Sequence, residues 1–219
     1  MEQTGNSFGF ISSEVDTHMS KNNEWGAVAY LTQSIYGRCT SSTSCTEVGI
    51  NNNSGYLTGY GAPAGSNSSQ TNGTYDTALG KYASTTGTIY GIYDMSGGAW
   101  EYVMGVLAGL IGNPRSGKSS SYNSGFTGTL ENGTIYKGIA FPDSKYYNLY
   151  KEVYYYGHAL TETKNWYWDS AFFVSKSSPW FARGGSYKSS GSSEGVFHYF
   201  YNDGYSYSHR SSRLVISNE

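Results

Sequence analysis

Tyr93-Asp94-Met95-Ser96-Gly97-Gly98-Ala99-Trp100-Glu101-Tyr102 is the run of sequence that decides the fold. Ile89 to Met95 and Trp100 to Met104 read as two short buried strands on either side of Ser96-Gly97-Gly98. Paired glycines permit positive φ or close backbone approach at a strand bend. Trp100 would then bury a large area just beyond that bend. A second glycine pair stands in Arg183-Gly184-Gly185-Ser186-Tyr187, and Ser212-Arg213-Leu214-Val215 closes the chain after it. Arg183 and Arg213 suit planar donors that tie loops to backbone carbonyls, with Asp94 and Glu101 as acceptors. All of these residues read as scaffold.

Outward from these motifs, Asn22 to Ser34 is the best helix candidate. Ala27, Val28, Leu31 and Ile35 recur at steps of three and four, which predicts one apolar face. Asn22 or Asn23 suits the start and Gly37 the stop, while Trp25 and Tyr30 add bulk for packing. Thr40 to Gly80 reads as long Ser/Asn/Gly surface loops. The chain's two cysteines, Cys39 and Cys45, lie there. No His or acidic residue lies between them, so a structural disulfide is expected over a redox or metal pair. Such a bridge is worth roughly 2–3 kcal/mol and implies an oxidising compartment. A polar insertion is expected from about Asn113 to Thr134. Tyr147, Tyr150, Val153 and Tyr154 keep helical spacing within Tyr146 to Tyr156. Trp166 to Trp168 and Ala171 to Val174 open a last aromatic block. Trp180 to Ser186, Gly195 to Phe200 and Arg213 to Ile216 are the terminal strand candidates.

Composition narrows the function classes. With 17% aromatic residues, 23 of them Tyr, and a net charge of −2, the chain of 219 residues is neither disordered nor coiled coil. Length allows one domain, 1–219, with a real core. No basic stripe offers itself to a phosphate backbone, so nucleic acid is not an expected partner. No run of about 20 apolar residues would insert into a membrane. The N-terminal residues lack the charged and apolar stretches of a signal peptide.

The quoted motifs, with Glu24-Trp25 followed by Ala27 and Ala29, resemble formylglycine-generating-enzyme and sulfatase-modifying-factor domains. The family order is E-W-E-x-A-A, Y-D-M-x-G-N-V-W-E-W, R-G-G-S-W and G-F-R, and the likeness runs from about residue 20 to 216. It implies an α+β, loop-rich C-type lectin fold in the formylglycine-generating-enzyme branch. That fold has a small twisted antiparallel sheet and one or two helices. The family's enzymes carry catalytic cysteines near the C-terminal motifs; here no Cys follows Cys45. Its iron-dependent members take a His cluster from a helical extension. His18, His158, His198 and His209 have no such spacing here, and no Gly-x-Ser-x-Gly elbow is present. The family's calcium site uses the Asn and Glu of G-N-V-W-E. Gly98 replaces that Asn and only Glu101 remains, so no cofactor is expected, with calcium the one alternative.

Between Arg183 and Arg213 lies a mixture of Tyr, Ser, Gly, Asn, Asp and His, the composition that antibody paratopes use. Most of these residue types are reachable from an AAC codon by changing only its adenines, although Lys188 and Glu194 are not. The pattern resembles variable proteins of diversity-generating retroelements, which are diversified between R-G-G and the closing G-F-R. Ser211-Ser212 departs from that closing motif. The expected variable region is 187–212. Its expected ligand-binding residues are Tyr187, Ser189, Ser190, Ser192, His198, Tyr199, Tyr201, Asn202, Asp203, Tyr205, Tyr207 and His209, lining one face with Trp168 and Asp169 at its border. These readings predict a non-enzymatic binding domain displayed outside the cell, on a bacterial surface, a pilus-like appendage or a phage particle, and taking a protein or glycan target. A carbohydrate-binding adhesin of fixed sequence is the alternative, and a formylglycine-generating-type enzyme is the third.

Overall fold

The computed structural model describes residues 5–52, 59–65, 74–107, 126–129, 135–136, 139–140, 144–150, 156–157, 159–175, 178, 180–189, 193–202, 204 and 206–218. It is a mixed α and β, loop-rich chain with one α-helix and several small sheets among these residues. The strands are β1 (Val15–Met19), β2 (Cys39–Ser41), β3 (Ser44–Cys45), β4 (Trp100–Val103), β5 (Gly105–Leu107), β6 (Phe126–Thr129), β7 (Ile135–Tyr136), β8 (Ile139–Ala140), β9 (Asn148–Tyr150), β10 (Trp180–Arg183), β11 (Tyr199–Asn202), β12 (Arg210–Ser212) and β13 (Leu214–Asn218). The helix α1 spans Asn22–Thr32.

Two sheets set the frame. β1 pairs antiparallel with β13, Val15 opposite Asn218 and Met19 opposite Leu214, which joins the two ends of the described chain. The largest sheet has the order β11-β10-β4-β12. β10 runs antiparallel to both β11 and β4, and β12 runs parallel to β4. Strand alternation sends Glu101, Val103, Phe181, Arg183 and Tyr199 into the interior, all buried. Trp25 of α1 lies against them, and its indole donates to the Val196 carbonyl (3.0 Å).

The two glycine pairs meet face to face. Gly97 N–H donates to the Gly184 carbonyl (2.6 Å), and Tyr187 N–H donates to the Gly98 carbonyl (2.8 Å). All four glycines have positive φ. A Cβ on Gly184 would sit 3.1 Å from the Trp25 ring, and one on Gly97 would land on the Asn51 carbonyl. The glycine motifs are therefore one interlocked turn rather than two separate bends. Arg213 closes it, donating to Glu101 through Nε (2.9 Å) and Nη2 (2.6 Å) and to the Tyr93 carbonyl (2.9 Å). Asp94 accepts from Asn51 Nδ2 (3.0 Å). Cys39 and Cys45 form the expected disulfide.

Several elements differ from the sequence expectation. The buried face of α1 is Asn22, Trp25, Ala29 and Thr32, whereas Leu31 and Ile35 are exposed. Asn22 does not cap the helix. It points inward, donating to the Tyr150 hydroxyl (2.9 Å) and accepting from Arg183 Nε (2.8 Å). The start is held by Glu24, which accepts the Lys21 N–H (2.8 Å), one half of a capping box. The helix also stops before Gly37. Residues 89–95 form turns, not a strand, because the hydroxyls of Thr85, Thr86 and Thr88 capture the N–H groups of Ile92, Thr88 and Tyr90. The tyrosine-dense segment holds a short 3-10 turn at Ser144–Tyr146 and then β9, which pairs in parallel with β5. A partner strand sets that segment's shape, against its helical spacing, and Val153 and Tyr154 lie outside the described residues. Most of the expected polar insertion lies outside them too.

Two glycine substitutions test this frame in opposite directions. Gly26 lies within α1 with nothing near its Cβ position, so Gly26→Ala is expected to stabilise by about 1 kcal/mol. Gly97→Ala should destabilise by at least about 2 kcal/mol, from positive φ and overlap with Asn51. Urea unfolding of the two variants measures both signs.

Candidate functional site

A row of rings crosses the outer side of the four-stranded sheet and turns around its β11 edge. Tyr187 meets His209 (6.5 Å between ring centres), and His209 meets Tyr207 (5.4 Å) and Trp100 (6.3 Å). Trp100 continues to Phe200 (5.7 Å), Phe200 to Tyr201 (4.5 Å), and Tyr201 to Phe172 (6.2 Å). The Arg210 guanidinium lies over Tyr207 (4.5 Å) and Trp100 (5.7 Å), a cation–π arrangement. Phe172, Tyr201 and Tyr207 are exposed. The Tyr187 hydroxyl lies 3.4 Å from Ser208 Oγ.

The expected binding residues divide between this surface and its support. Tyr187, Ser189, Tyr201, Tyr207 and His209 are at least partly exposed. Ser190, Ser192, Asp203 and Tyr205 lie outside the described residues. Three others are corrected. Tyr199 is fully buried: its hydroxyl donates to the Leu160 carbonyl (3.0 Å) and its ring lies beneath Arg183. His198 is buried, with Nδ1 2.9 Å from the Ser170 hydroxyl. Asn202 is also buried, and its Oδ1 accepts from the Tyr102 hydroxyl (2.7 Å), Arg210 Nη1 (2.7 Å) and Gly204 N–H (3.2 Å). These polar residues do scaffold work that their composition does not advertise, each making at least one hydrogen bond inside the fold. Of the expected border pair, Trp168 is exposed and Asp169 is buried.

Trp100, Phe172, Phe200 and Arg210 belong to the surface but were not among its expected members. Alternation along β4 is the signal that would have found Trp100: Glu101 and Val103 point in, so Trp100 and Tyr102 point out. At Glu101, the remaining residue of the expected calcium motif, Arg213 engages both carboxylate oxygens. Among the described residues no group of three or more His, Cys, Asp and Glu side chains is arranged to hold a metal. No helix there is long and apolar enough to cross a membrane.

Burial sets the ionisation of the supporting layer. It pushes the His198 imidazole down to about 4, with Arg183 adding to the effect. It also pushes the Asp169 carboxyl up to about 7, against bonds from the Gly195 and Phe197 N–H groups. Burial lowers His209 as well, helped by Lys188 and Arg210. The chain matches no protein-family model and no curated protein.

A pH-dependent stability follows from His198. In the unfolded chain the imidazole takes its proton near 6.5, whereas the folded protein keeps it neutral down to about 4. Its contribution is whole above 6.5 and is lost as pH falls towards 4. Asp169 works the opposite way, because its folded form holds a proton up to about 7. Comparison with a variant isolates the histidine. His198→Gln is expected to gain about 3 kcal/mol on the parent between pH 7 and pH 4, measured by urea unfolding at each pH.

Proposed function

We propose that this chain is a non-enzymatic binding domain of the C-type lectin fold, in the formylglycine-generating-enzyme branch, and that the ring row over β4 and β11 is its recognition surface. The observation that carries the reading is the division of labour within 187–212. Tyr187, Tyr201, Tyr207 and His209 turn towards solvent, while His198, Tyr199 and Asn202 hold the backbone beneath them. Exposed tyrosines give large amphipathic contact area at low entropic cost, and the flanking serines adapt their hydrogen bonds. Such a surface exchanges its outer side chains without disturbing its support, as a diversity-generating retroelement variable protein requires. The interlocked glycine pairs, the Glu101–Arg213 ion pair and the β1–β13 pairing support the fold assignment. Thiol chemistry has no residue to use, because both cysteines are joined in the disulfide.

The target is a protein or glycan met outside the cell, where the disulfide persists. Exposed rings at Tyr201 and Tyr207 favour stacking on either. If the sequence is fixed rather than diversified, the same surface serves a carbohydrate-binding adhesin.

Randomising residues 187, 201, 207 and 209 together is expected to leave the thermal midpoint within about 5 °C of the parent, whereas Tyr199→Ser should lower it by about 10 °C. Gene copies from related isolates supply the second measurement. Substitutions should concentrate at the four exposed positions and spare 198, 199 and 202. An invariant 187–212 segment overturns the retroelement reading and leaves the fixed adhesin.

A further inference from the structure

A second concavity shares no residue with the ring row. It encloses about 110 Å³, and Gln33, Glu47, Tyr167, Trp168, Asp169 and Phe197 are among its lining residues. Besides the Ser96 and Tyr167 hydroxyls, three side chains there carry carboxylate or amide oxygens. Asp169 is buried and accepts from Gly195 N–H (2.6 Å) and Phe197 N–H (3.0 Å), which leaves further lone pairs on both oxygens. The Glu47 carboxylate is half-buried and makes no hydrogen bond or ion pair among the described residues. Gln33 Nε2 and Oε1 are both shut off from solvent, and neither has a hydrogen-bond partner. Among the described residues no Lys, Arg or His lines the cavity. Its wall is aromatic: Tyr167 stacks on Phe197 (5.7 Å, planes 17° apart), and Trp168 stands 87% exposed at the rim. Asn165, Tyr167 and Trp168 all have positive φ without being glycine, a conformation that surrounding structure must impose.

We infer that this cavity binds a primary alkylammonium group, with Glu47, Asp169 and Gln33 Oε1 accepting its N–H bonds and the Tyr167, Trp168 and Phe197 rings packing around its alkyl chain. An ammonium has three donors and no acceptor, which suits a pocket holding two carboxylates and an amide oxygen. Aromatic walls stabilise such a cation further. Anions are disfavoured by two carboxylates with no balancing charge among the described lining residues. A calcium ion takes six to eight oxygens, more than these side chains supply. Electrostatics agrees with the geometry: burial raises both carboxyls, and Glu47 adds to the rise at Asp169, which Arg183 opposes. A bound cation would take the place of the proton that Asp169 otherwise holds near neutral pH. The ammonium has two sources, a free amine or a lysine side chain of a partner protein.

Titration of the whole chain with n-pentylamine, 1-pentanol, Nα-acetyl-lysine amide and calcium chloride tests the inference, read by the NMR shift of the Trp168 indole N–H. Pentylammonium should give a saturable shift and pentanol none. Glu47→Gln should weaken binding at least tenfold without moving the thermal midpoint, since that carboxylate holds nothing in the fold. Trp168→Ala should weaken it several-fold. Calorimetry at pH 7 in two buffers of different ionisation enthalpy should show proton release on binding. Tighter binding of the lysine amide than of pentylamine assigns the site to a partner's lysine, and the reverse assigns it to a free amine. Three results overturn the inference: no saturable shift up to about 50 mM, where a millimolar Kd would saturate; equal binding of pentanol; or a calcium response that Glu47→Gln abolishes while pentylammonium has no effect. Since the ring row is untouched, neither outcome bears on recognition there.

Discussion

The guanidinium of Arg183 is fully enclosed, and the arrangement around it has to close all at once. Its Nε donates to Asn22 at the first position of α1, and Nη1 donates to the carbonyls of Phe197 (3.4 Å) and His198 (3.3 Å). Its face lies 5.3 Å above the Tyr199 ring. No carboxylate forms an ion pair with it among the described residues. Burial pulls its ionisation down to about 10, still far above neutral pH, so the group stays charged. Burying a charge is costly unless hydrogen bonds satisfy it. Helix, strand β10 and the turn before β11 must therefore take their places together, since losing any of them strands the charge. That turn then delivers β11, which carries Phe200 to the outer face and Tyr201 to the exposed edge of the sheet.

What could be read from residue order follows from how local the physical demand is. Gly97, Gly98, Gly184 and Gly185 are legible because positive φ is something few other residues tolerate. Cys39 and Cys45 are legible because six positions separate them. Arg213 with Glu101 is legible because a short loop-rich chain must pair such groups. The helix face was not. Counting apolar residues selects Leu31 and Ile35, yet the buried side is built around Asn22 and Thr32 as well as Trp25 and Ala29. Asn22 is inside because Arg183 of β10 and the Tyr150 hydroxyl of β9 need partners, while the Thr32 hydroxyl is satisfied by the Val28 carbonyl of its own helix. Hydropathy along one helix holds no record of a requirement set by distant strands.

Tyrosine shows the same ambiguity within a single strand. Tyr199 is fully buried and Tyr201, two positions on, is exposed, although alternation places both on one side of β11. The difference lies in what covers them. Tyr199 sits opposite Arg183 and reaches the Leu160 carbonyl, while Tyr201 lies nearer the strand's end and rests on Phe200. A phenol ring serves equally well as core with a satisfied hydroxyl or as contact surface. The candidate surface was thus legible as a segment, but its members could be sorted only by the sheet.

Asp169 links the two candidate sites without belonging to the ring row. Its oxygens hold the N–H groups of Gly195 and Phe197, the stretch that leads directly into β11. A side chain at 195 would collide with that carboxylate, so glycine is required there for the carboxylate to approach so closely. Charge on Asp169 strengthens both bonds, since an ionised acceptor makes the stronger hydrogen bond. Whatever favours ionisation in the cavity therefore stiffens the base of the strand that carries Phe200 and Tyr201. Coupling of this kind needs no movement of the outer rings. It works through the firmness of the turn beneath them, carried by Asp169 and the 195–197 backbone.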